Sequence, residues 1–373
     1  MNSLKKLKIL GESAKYDLCN YVDPGIETYI SGKIPGIYNS TSPNGQCIPI
    51  FKVLMTNKCS NDCKYCMNSR SSKLERYEFT PEELSTLFLD YFNRKYVEGL
   101  FLSSGASKDI ESSMEKEIEV ARILRDYGYD GYIHLKILPG TSFDLIKRAM
   151  SLANRVSVNI ESATPDGFEE LTSTKNFEID ILRRMKWIHR LSKKDSHMAP
   201  SGQTTQFIVG ATDESDEDVL RRSKWLSDKF EIKRSYFSAF NPLKGTPLEN
   251  HDIPHPKRTS RLYQADFLLN SYDFSLEELV FDKDGNIETE IDPKYSFAMN
   301  NRELFPIEIN EASFEELIRV PGIGKISAKK IITLRKHGIG IKKLEDLKNL
   351  GVAVKRAEPF IKLNKSYQSV LNF

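Results

Sequence analysis

The chain has 373 residues, 54 Lys or Arg against 52 Asp or Glu, and is 39% hydrophobic and 28% charged. Those proportions describe a soluble globular protein with a sizeable core, long enough for two domains. No apolar run of eighteen residues suggests a membrane span, no long apolar stretch follows the N-terminal lysines as in a signal peptide, and five cysteines make no disulfide framework, so a reducing cytoplasm is expected.

Residues 1–48, with KILGESAKYD and GKIPGIYNSTSPNGQC, read as an N-terminal extension: a helix, then a glycine- and serine-rich loop. The apolar run 49–55 reads as a strand and leads directly into KCSNDCKYCMN, where Cys59, Cys63 and Cys66 stand in CxxxCxxC spacing. Three thiolates so close can hold three irons of a 4Fe–4S cluster and leave the fourth iron without a protein ligand. Structural zinc is the alternative, but it wants four ligands, usually as two cysteine pairs. Cys19 and Cys47 stand alone, so no second pair exists. The spacing also differs from the ferredoxin run, in which a fourth cysteine follows.

Beyond Cys66, strand patterns at 100–104, 132–138, 155–161, 204–210 and 235–240 alternate with amphipathic stretches. Thr80-Pro81-Glu82-Glu83 supplies a cap, a proline and two acids ahead of a helix over 84–94, and Asp213 and Glu214 open a segment running to 229. Six strands with intervening helices over 49–241 predict a parallel α/β sheet, closed or partly closed into a barrel. Side chains alternate faces along a strand, so Ser157, Asn159 and Glu161 oppose Val156, Val158 and Ile160, and His134 and Lys136 oppose Ile133, Leu135 and Ile137. With the apolar face packed on helices, the polar face points into the lumen. Burying even a neutral polar group there without a partner would cost roughly 2–7 kcal/mol, which a hydrated or ligand-filled cavity avoids. A solvent-exposed sheet face is the alternative, though parallel strands are rarely exposed. His134, Lys136, Glu161 and Gln206 are therefore candidate substrate contacts, and the carboxyl ends of the strands are the expected ligand side.

Residues 242–307 read as a proline-rich, irregular connection with a helix over 258–272; FDKDGNIETEIDPK lacks the ligand pattern of a calcium loop and reads as a turn. Residues 308–373 hold 13 Lys or Arg and 7 Asp or Glu, while the rest of the chain holds 41 and 45. A basic end on a mildly acidic body suggests a polyanion partner, with a solvated lysine-rich surface as the alternative. Within it, FEELIRVPGIGKISAKKIITLRKHG reads as helix, tight hairpin and helix. Gly322 and Gly324 let a phosphate approach bare backbone, and amides at the start of the second helix point at it. Gly322, Ile323, Gly324, Lys325 and Lys329 are the candidate nucleic-acid contacts; protein packing is the other use of such a hairpin.

The cysteine spacing, with Tyr65 immediately before the last cysteine, resembles the radical S-adenosylmethionine (radical SAM) superfamily. The resemblance implies a partial (β/α)6 TIM-like barrel and a 4Fe–4S cluster whose open iron is chelated by the amine and carboxylate of SAM. One electron then yields methionine and a 5′-deoxyadenosyl radical, which abstracts a hydrogen atom from substrate. The resemblance also implies an electron donor such as flavodoxin or ferredoxin. It places Ser104-Gly105 where relatives carry a motif for the methionyl amine, here without an acid. Asn159 and Glu161 match positions that meet the ribose or methionyl group, and Gly210 of FIVGATDE matches a glycine against which adenine packs.

The tail resembles the helix-hairpin-helix element of DNA repair and DNA-uptake proteins, as a small all-α tandem pair in which Ala353 replaces the usual second glycine. The order of motifs along the whole chain resembles a family of radical SAM proteins assigned to DNA modification or repair through their domains. It implies action on DNA, repairing a lesion or modifying a base, with spore photoproduct lyase an analogy of class only. A hydrogen donor would come from Cys19, Cys47 or a tyrosine; Cys47 lies roughly 26 Å of extended chain from the cluster end, at about 3.3 Å per residue. An RNA substrate and a DNA-binding accessory with a structural or redox-sensing cluster remain alternatives, and two spare cysteines disfavour a methylthiotransferase.

Overall fold

Seven strands form one sheet in chain order, six of them parallel, in the computed structural model, which describes residues 3–17, 34–41 and 47–363. Cys19 falls outside the described residues. The chain divides into a first compact unit, Met1–Glu214 with Arg221–Thr259, and a second, Ser215–Leu220 with Ser260–Phe373. The connection expected over 242–307 is thus shared between the two units rather than standing apart, and the second unit begins well before residue 308.

In the first unit, helix α1 (Ser3–Ser13) runs into a 3-10 turn, Ala14–Tyr16. Strand β1 (Ile37–Thr41) pairs antiparallel with β2 (Cys47–Leu54). The sequence reading makes 37–41 part of a loop. Pairing with β2 and burial of Ile37 and Tyr38 outweigh the loop preference of Asn39 and Ser40, which an edge strand tolerates.

The parallel ladder continues through α2 (Pro81–Asn93), β3 (Gly99–Ser103), α3 (Ile110–Asp126), β4 (Tyr132–Lys136), α4 (Phe143–Leu152) and β5 (Arg155–Ser157). It ends with α5 (Pro165–Leu171), α6 (Arg183–Lys194), β6 (Gln203–Val209), α7 (Asp216–Phe230) and β7 (Arg234–Ala239). This is the curled partial barrel expected, with one extra, antiparallel strand. Thr80 caps α2 reciprocally with Glu83, as its sequence indicates. Strand β5 stops four residues early: the Thr205 hydroxyl donates to Val158 O (2.8 Å) and accepts from Ile160 N (3.0 Å), replacing ladder bonds. Glu161 then takes a left-handed φ of +66°.

Strand parity reads correctly. Ile133, Leu135, Val156, Val158 and Ile160 are fully buried beneath the helices. The lumen floor is aromatic, with Tyr38, Ile50 and Phe101 clustered and the Lys52 ammonium 4.7 Å from the Tyr38 ring centroid. Polar residues lie above it.

The second unit contains most of α8 (Arg258–Ser271), then α9 (Pro293–Asn300), α10 (Phe314–Arg319), α11 (Lys325–Lys336), α12 (Leu344–Asn349) and α13 (Val354–Ala357). A two-residue parallel pair, β8 (Ile307–Glu308) and β9 (Ile361–Lys362), closes it, a detail too short to leave a sequence pattern. Its core includes Ile309, Leu317, Ile318, Val320, Ile331, Leu347 and Phe360. The acidic stretch after Phe281 is a turn, as expected: the Asp282 carboxylate accepts from Asp284 N and Asn286 N, both at 2.9 Å.

Candidate active site

At the carboxyl ends of the strands a cavity of about 170 Å³ opens in the first unit. Cys59, Cys63 and Cys66 line it together with Tyr65, Ser104, Gly105, Lys136, Asn159, Glu161 and Gln206. One site therefore gathers residues drawn from several loops and strands. Gly210 is not among the lining residues; at φ +86° it turns the chain out of β6 against Pro254. His134 lies deeper, buried, with Nε2 2.9 Å from Ser157 Oγ, and burial holds its pKa well below the usual value. Cys47 is exposed at the start of β2, the strand's opposite end.

The cysteine loop is held by backbone contacts that leave no room for side chains. Gly105 N donates to Thr56 O and Ser60 N to Ala106 O, both at 2.7 Å. A Cβ on Gly105 would stand 2.5 Å from Lys58 O. The Arg76 guanidinium gathers the other side of the loop, donating to the carbonyls of Asn57, Asn68 (2.9 Å), Ser69 (2.6 Å) and Ser72 (3.0 Å).

Asp62, between the first two cysteines, fastens this loop to a distant one. Its carboxylate accepts from Thr172 Oγ1 (2.7 Å), Ser173 N (3.1 Å), Thr174 Oγ1 (3.0 Å) and Ser173 Oγ. Burial opposes its charge, but these donors hold its pKa far below the carboxylate range. The clamp delivers Lys175 into the cavity beside Cys63 and Glu161, whose charges, against the effect of burial, keep it protonated. Removing the clamp, as in Asp62→Ala, is expected to cost the first unit about 1.5–3 kcal/mol, the range for hydrogen bonds to a charged group. Denaturant unfolding and iron content after reconstitution check this; wild-type values for both would contradict it.

Below the cysteines, Asp17 enters the lumen. Its carboxylate pairs with Lys136 and its carbonyl accepts from Lys52, while Tyr16 O accepts from Gln206 Nε2 at 2.9 Å. Burial opposes ionisation of both members of the pair. Their mutual attraction prevails, lowering the pKa of Asp17 and raising that of Lys136. The lumen cation inferred from strand parity thus has an internal counter-ion, supplied from the N-terminal extension.

Glu214 of the FIVGATDE stretch accepts from Ser162 Oγ, Thr164 N (2.9 Å) and Thr164 Oγ1 (3.1 Å). It therefore secures the loop after β5, a role that explains the motif's acid without a ligand. Tyr65 packs against Leu171, Ile208 and Phe240, with its phenol against Glu161.

The donor set of the loop is three thiols, soft ligands suited to iron–sulfur or zinc. The three cysteines share the cavity and influence one another: burial, then the neighbouring Cys63, pushes Cys66 up to about 12. The cavity also has acceptors in want of donors. Glu161 Oε2 and Asn68 Oδ1 are buried without a hydrogen-bond partner among the described residues, a loss of about 1–3 kcal/mol each that ligand N–H groups would recover. Cys59, Cys63 and Cys66 are the residues that would hold a 4Fe–4S cluster.

In the second unit, Ser313 caps α10 reciprocally with Glu316, and Pro321-Gly322-Ile323-Gly324 turns the chain into α11. Gly322 has φ +86°, and its carbonyl accepts from Ala353 N (2.9 Å) of the second hairpin. Gly351 matches it at φ +86°, and Ala353 occupies the helix-capping position that Gly324 fills in the first hairpin. The Ile323 side chain is buried in the core, so only its backbone faces the hairpin. Lys325, Lys329 and Lys330 lie along α11, and all three are exposed.

Two neighbours of the hairpin left no sequence signal. Lys294 Nζ donates to Ile323 O at 2.6 Å, and burial, partly offset by Asp292, brings its pKa down to about 7. The Tyr272 ring lies under both Lys294 (4.9 Å) and Lys325 (5.7 Å).

Residues 53–226 match the model of the Radical SAM superfamily, and residues 305–352 that of the helix-hairpin-helix motif. Similar solved structures include a HydG maturase of the [FeFe]-hydrogenase (14% identity, TM-score 0.48), covering 58% of this chain and 48% of that one. The HydG of Carboxydothermus hydrogenoformans has 16% identity and a TM-score of 0.49 over 58% of this chain and 50% of that one. Methylornithine synthase PylB has 16% identity and a TM-score of 0.47 over 58% and 60%. This chain therefore spans about half to three-fifths of the length of those structures. A search of curated proteins gives no match. Residues 53–226 are a radical SAM superfamily domain, whose cofactors are a 4Fe–4S cluster and S-adenosylmethionine, and residues 305–352 are a helix-hairpin-helix motif.

Proposed function

We propose that this protein is a radical SAM enzyme whose substrate is DNA, in which it repairs a lesion or modifies a base. The observation that carries the reading is the presence, on one chain, of the cysteine-lined cavity and a helix-hairpin-helix motif with Lys325 and Lys329 beside its turn. Hairpins of this kind hold backbone phosphates, which positions an enzyme without specifying sequence.

Cys59, Cys63 and Cys66 would hold the cluster, with Asp62, Arg76 and Gly105 keeping their loop in place. When bound, the cluster and SAM supply a 5′-deoxyadenosyl radical, given one electron from a flavodoxin- or ferredoxin-type donor. The chain's own part is to bind, orient and exclude competing reactions. Glu161 and Asn68 offer unpartnered acceptors for the amine and hydroxyl donors of SAM, and Ser104 and Asn159 extend the polar wall. Lys175 sets a positive charge against Cys63, suited to a carboxylate or to the net negative charge of a cluster. Beneath, Lys136 and Gln206 face the substrate side, with Asp17 fixing the Lys136 ammonium.

Deuterium transfer tests the proposal. Reduced, reconstituted protein is given SAM and DNA from cells grown on deuterated nutrients, and deuterium is followed into 5′-deoxyadenosine. Incorporation from DNA is expected. Incorporation only from deuterated RNA would move the substrate to RNA. Incorporation from neither, with the cluster intact by electron paramagnetic resonance, would contradict the proposal.

A further inference from the structure

Helix α6 carries six Lys or Arg and no acid in twelve residues, RRMKWIHRLSKK. Two of the six have structural work. The Arg184 guanidinium donates to the carbonyls of Gly140, Thr141 (2.9 Å) and Ile179, and lies 5.0 Å from the Trp187 ring centroid. Lys193 pairs with Glu231.

The other four, Arg183, Lys186, Arg190 and Lys194, lie at the surface, and no hydrogen bond or ion pair joins their side chains to another described residue. They fall at i, i+3, i+7 and i+11, one face of the helix, over about 16 Å at 1.5 Å per residue. Helix α4 packs alongside. It brings Phe143, 39% exposed, edge-on to Trp187 at 5.7 Å between ring centroids. Phe143, Trp187, Arg190 and Lys194 line a shallow groove. On α4, Asp144 and Lys147 offset each other in charge, and Arg148 faces Glu115 at 3.7 Å. The stripe's charge is therefore not neutralised from the neighbouring helix.

We propose that the α4–α6 face is a second nucleic-acid contact, in which Arg183, Lys186, Arg190 and Lys194 follow backbone phosphates and the Phe143–Trp187 pair lies against the strand. The inference rests on the DNA reading above. A line of cations, one per helical turn, suits a phosphate track on duplex or single strand, and the exposed aromatics beside it suit the bases of a locally single-stranded segment. An acidic electron carrier is the competing occupant. None of these residues lines the cavity that contains the cysteines, where such a carrier must deliver its electron.

The test uses full-length reconstituted protein and a fluorescein-labelled duplex of about 30 base pairs, with binding followed by anisotropy over a KCl series. The combined variant Arg183→Gln, Lys186→Gln, Arg190→Gln, Lys194→Gln is expected to reduce the slope of log K against log salt by about 2–4, at roughly 0.9 for each phosphate no longer neutralised. A second measurement leaves the stripe intact. The chain has two tryptophans, so in Trp225→Phe only Trp187 reports, and its emission is expected to change on adding duplex. Lys325→Gln with Lys329→Gln reports on the hairpin independently. If wild-type protein binds no nucleic acid, the DNA reading itself fails. If wild type binds and the hairpin variant weakens binding, while the stripe variant keeps its slope and Trp187 is unaffected, the second contact is overturned. Loss of reduction by an acidic flavodoxin in that variant would then assign the face to an electron carrier.

Discussion

Gly105→Ala is expected to abolish cluster loading in a protein that otherwise keeps most of its fold. The added Cβ would meet Lys58 O at 2.5 Å and Thr56 O at 3.1 Å, both backbone atoms of the segment that leads into Cys59. Neither can rotate away, so the loop must shift. Overpacking of this kind costs about 1–3 kcal/mol, tolerable for the first unit as a whole. The function is less tolerant, because a displacement near 1 Å at a reacting centre costs about 100-fold in rate. The expected signature is low iron and sulfide content after reconstitution with a circular dichroism spectrum close to wild type. Full cluster content with normal SAM cleavage would show that the loop can be rebuilt around a methyl group.

Gly322→Val is expected to unfold the hairpin unit rather than to act on DNA binding alone. Gly322 sits at φ +86°, where a β-branched residue is strained by about 1–3 kcal/mol. Its Cβ would also stand 2.5 Å from Ala353 O and 3.1 Å from Arg356 Cβ, adding about 1–3 kcal/mol of overpacking. Thermal unfolding should therefore show the second unit melting early, with limited proteolysis cutting within 308–363. An unshifted transition would contradict this packing. Gly324 is the more informative position for binding. It has no positive φ, and the nearest atom to a Cβ there is the Tyr272 hydroxyl at 3.4 Å. Gly324→Ala, Lys325→Gln and Lys329→Gln can thus alter phosphate contacts with little effect on the fold.

What the sequence reveals here is what neighbours in the chain decide. The cysteine spacing, the cap at Thr80 and the alternation in 132–137 are short-range patterns, and each is realised in the structure. What it hides depends on partners far apart in the chain. Lys136 reads as a lone lumen cation, whereas its counter-ion Asp17 is 119 residues away. Asp62 sits inside the cysteine motif, yet its partners Thr172, Ser173 and Thr174 lie more than a hundred residues on, and with them comes Lys175. A run of three hydroxyl residues ahead of a lysine is the only hint the sequence offers. Gly210 carries a second feature that the motif does not announce, a turn at φ +86° packed on Pro254. Ile323 belongs to the hairpin by sequence and to the core by burial, since a tight turn can expose its backbone while sinking its side chain. Strand β1 is concealed by turn-forming residues that only an edge position accommodates.

The measurement that bears most directly on function is anaerobic SAM cleavage by reconstituted protein and a low-potential reductant, with 5′-deoxyadenosine followed with and without duplex DNA. Formation of 5′-deoxyadenosine that accelerates with duplex, and loses that acceleration in Lys325→Gln with Lys329→Gln, is the expected result. It would join the cavity and the hairpin in one enzyme. Cleavage that is indifferent to DNA, or no cleavage from a protein with an intact cluster, would contradict a DNA-acting radical SAM enzyme.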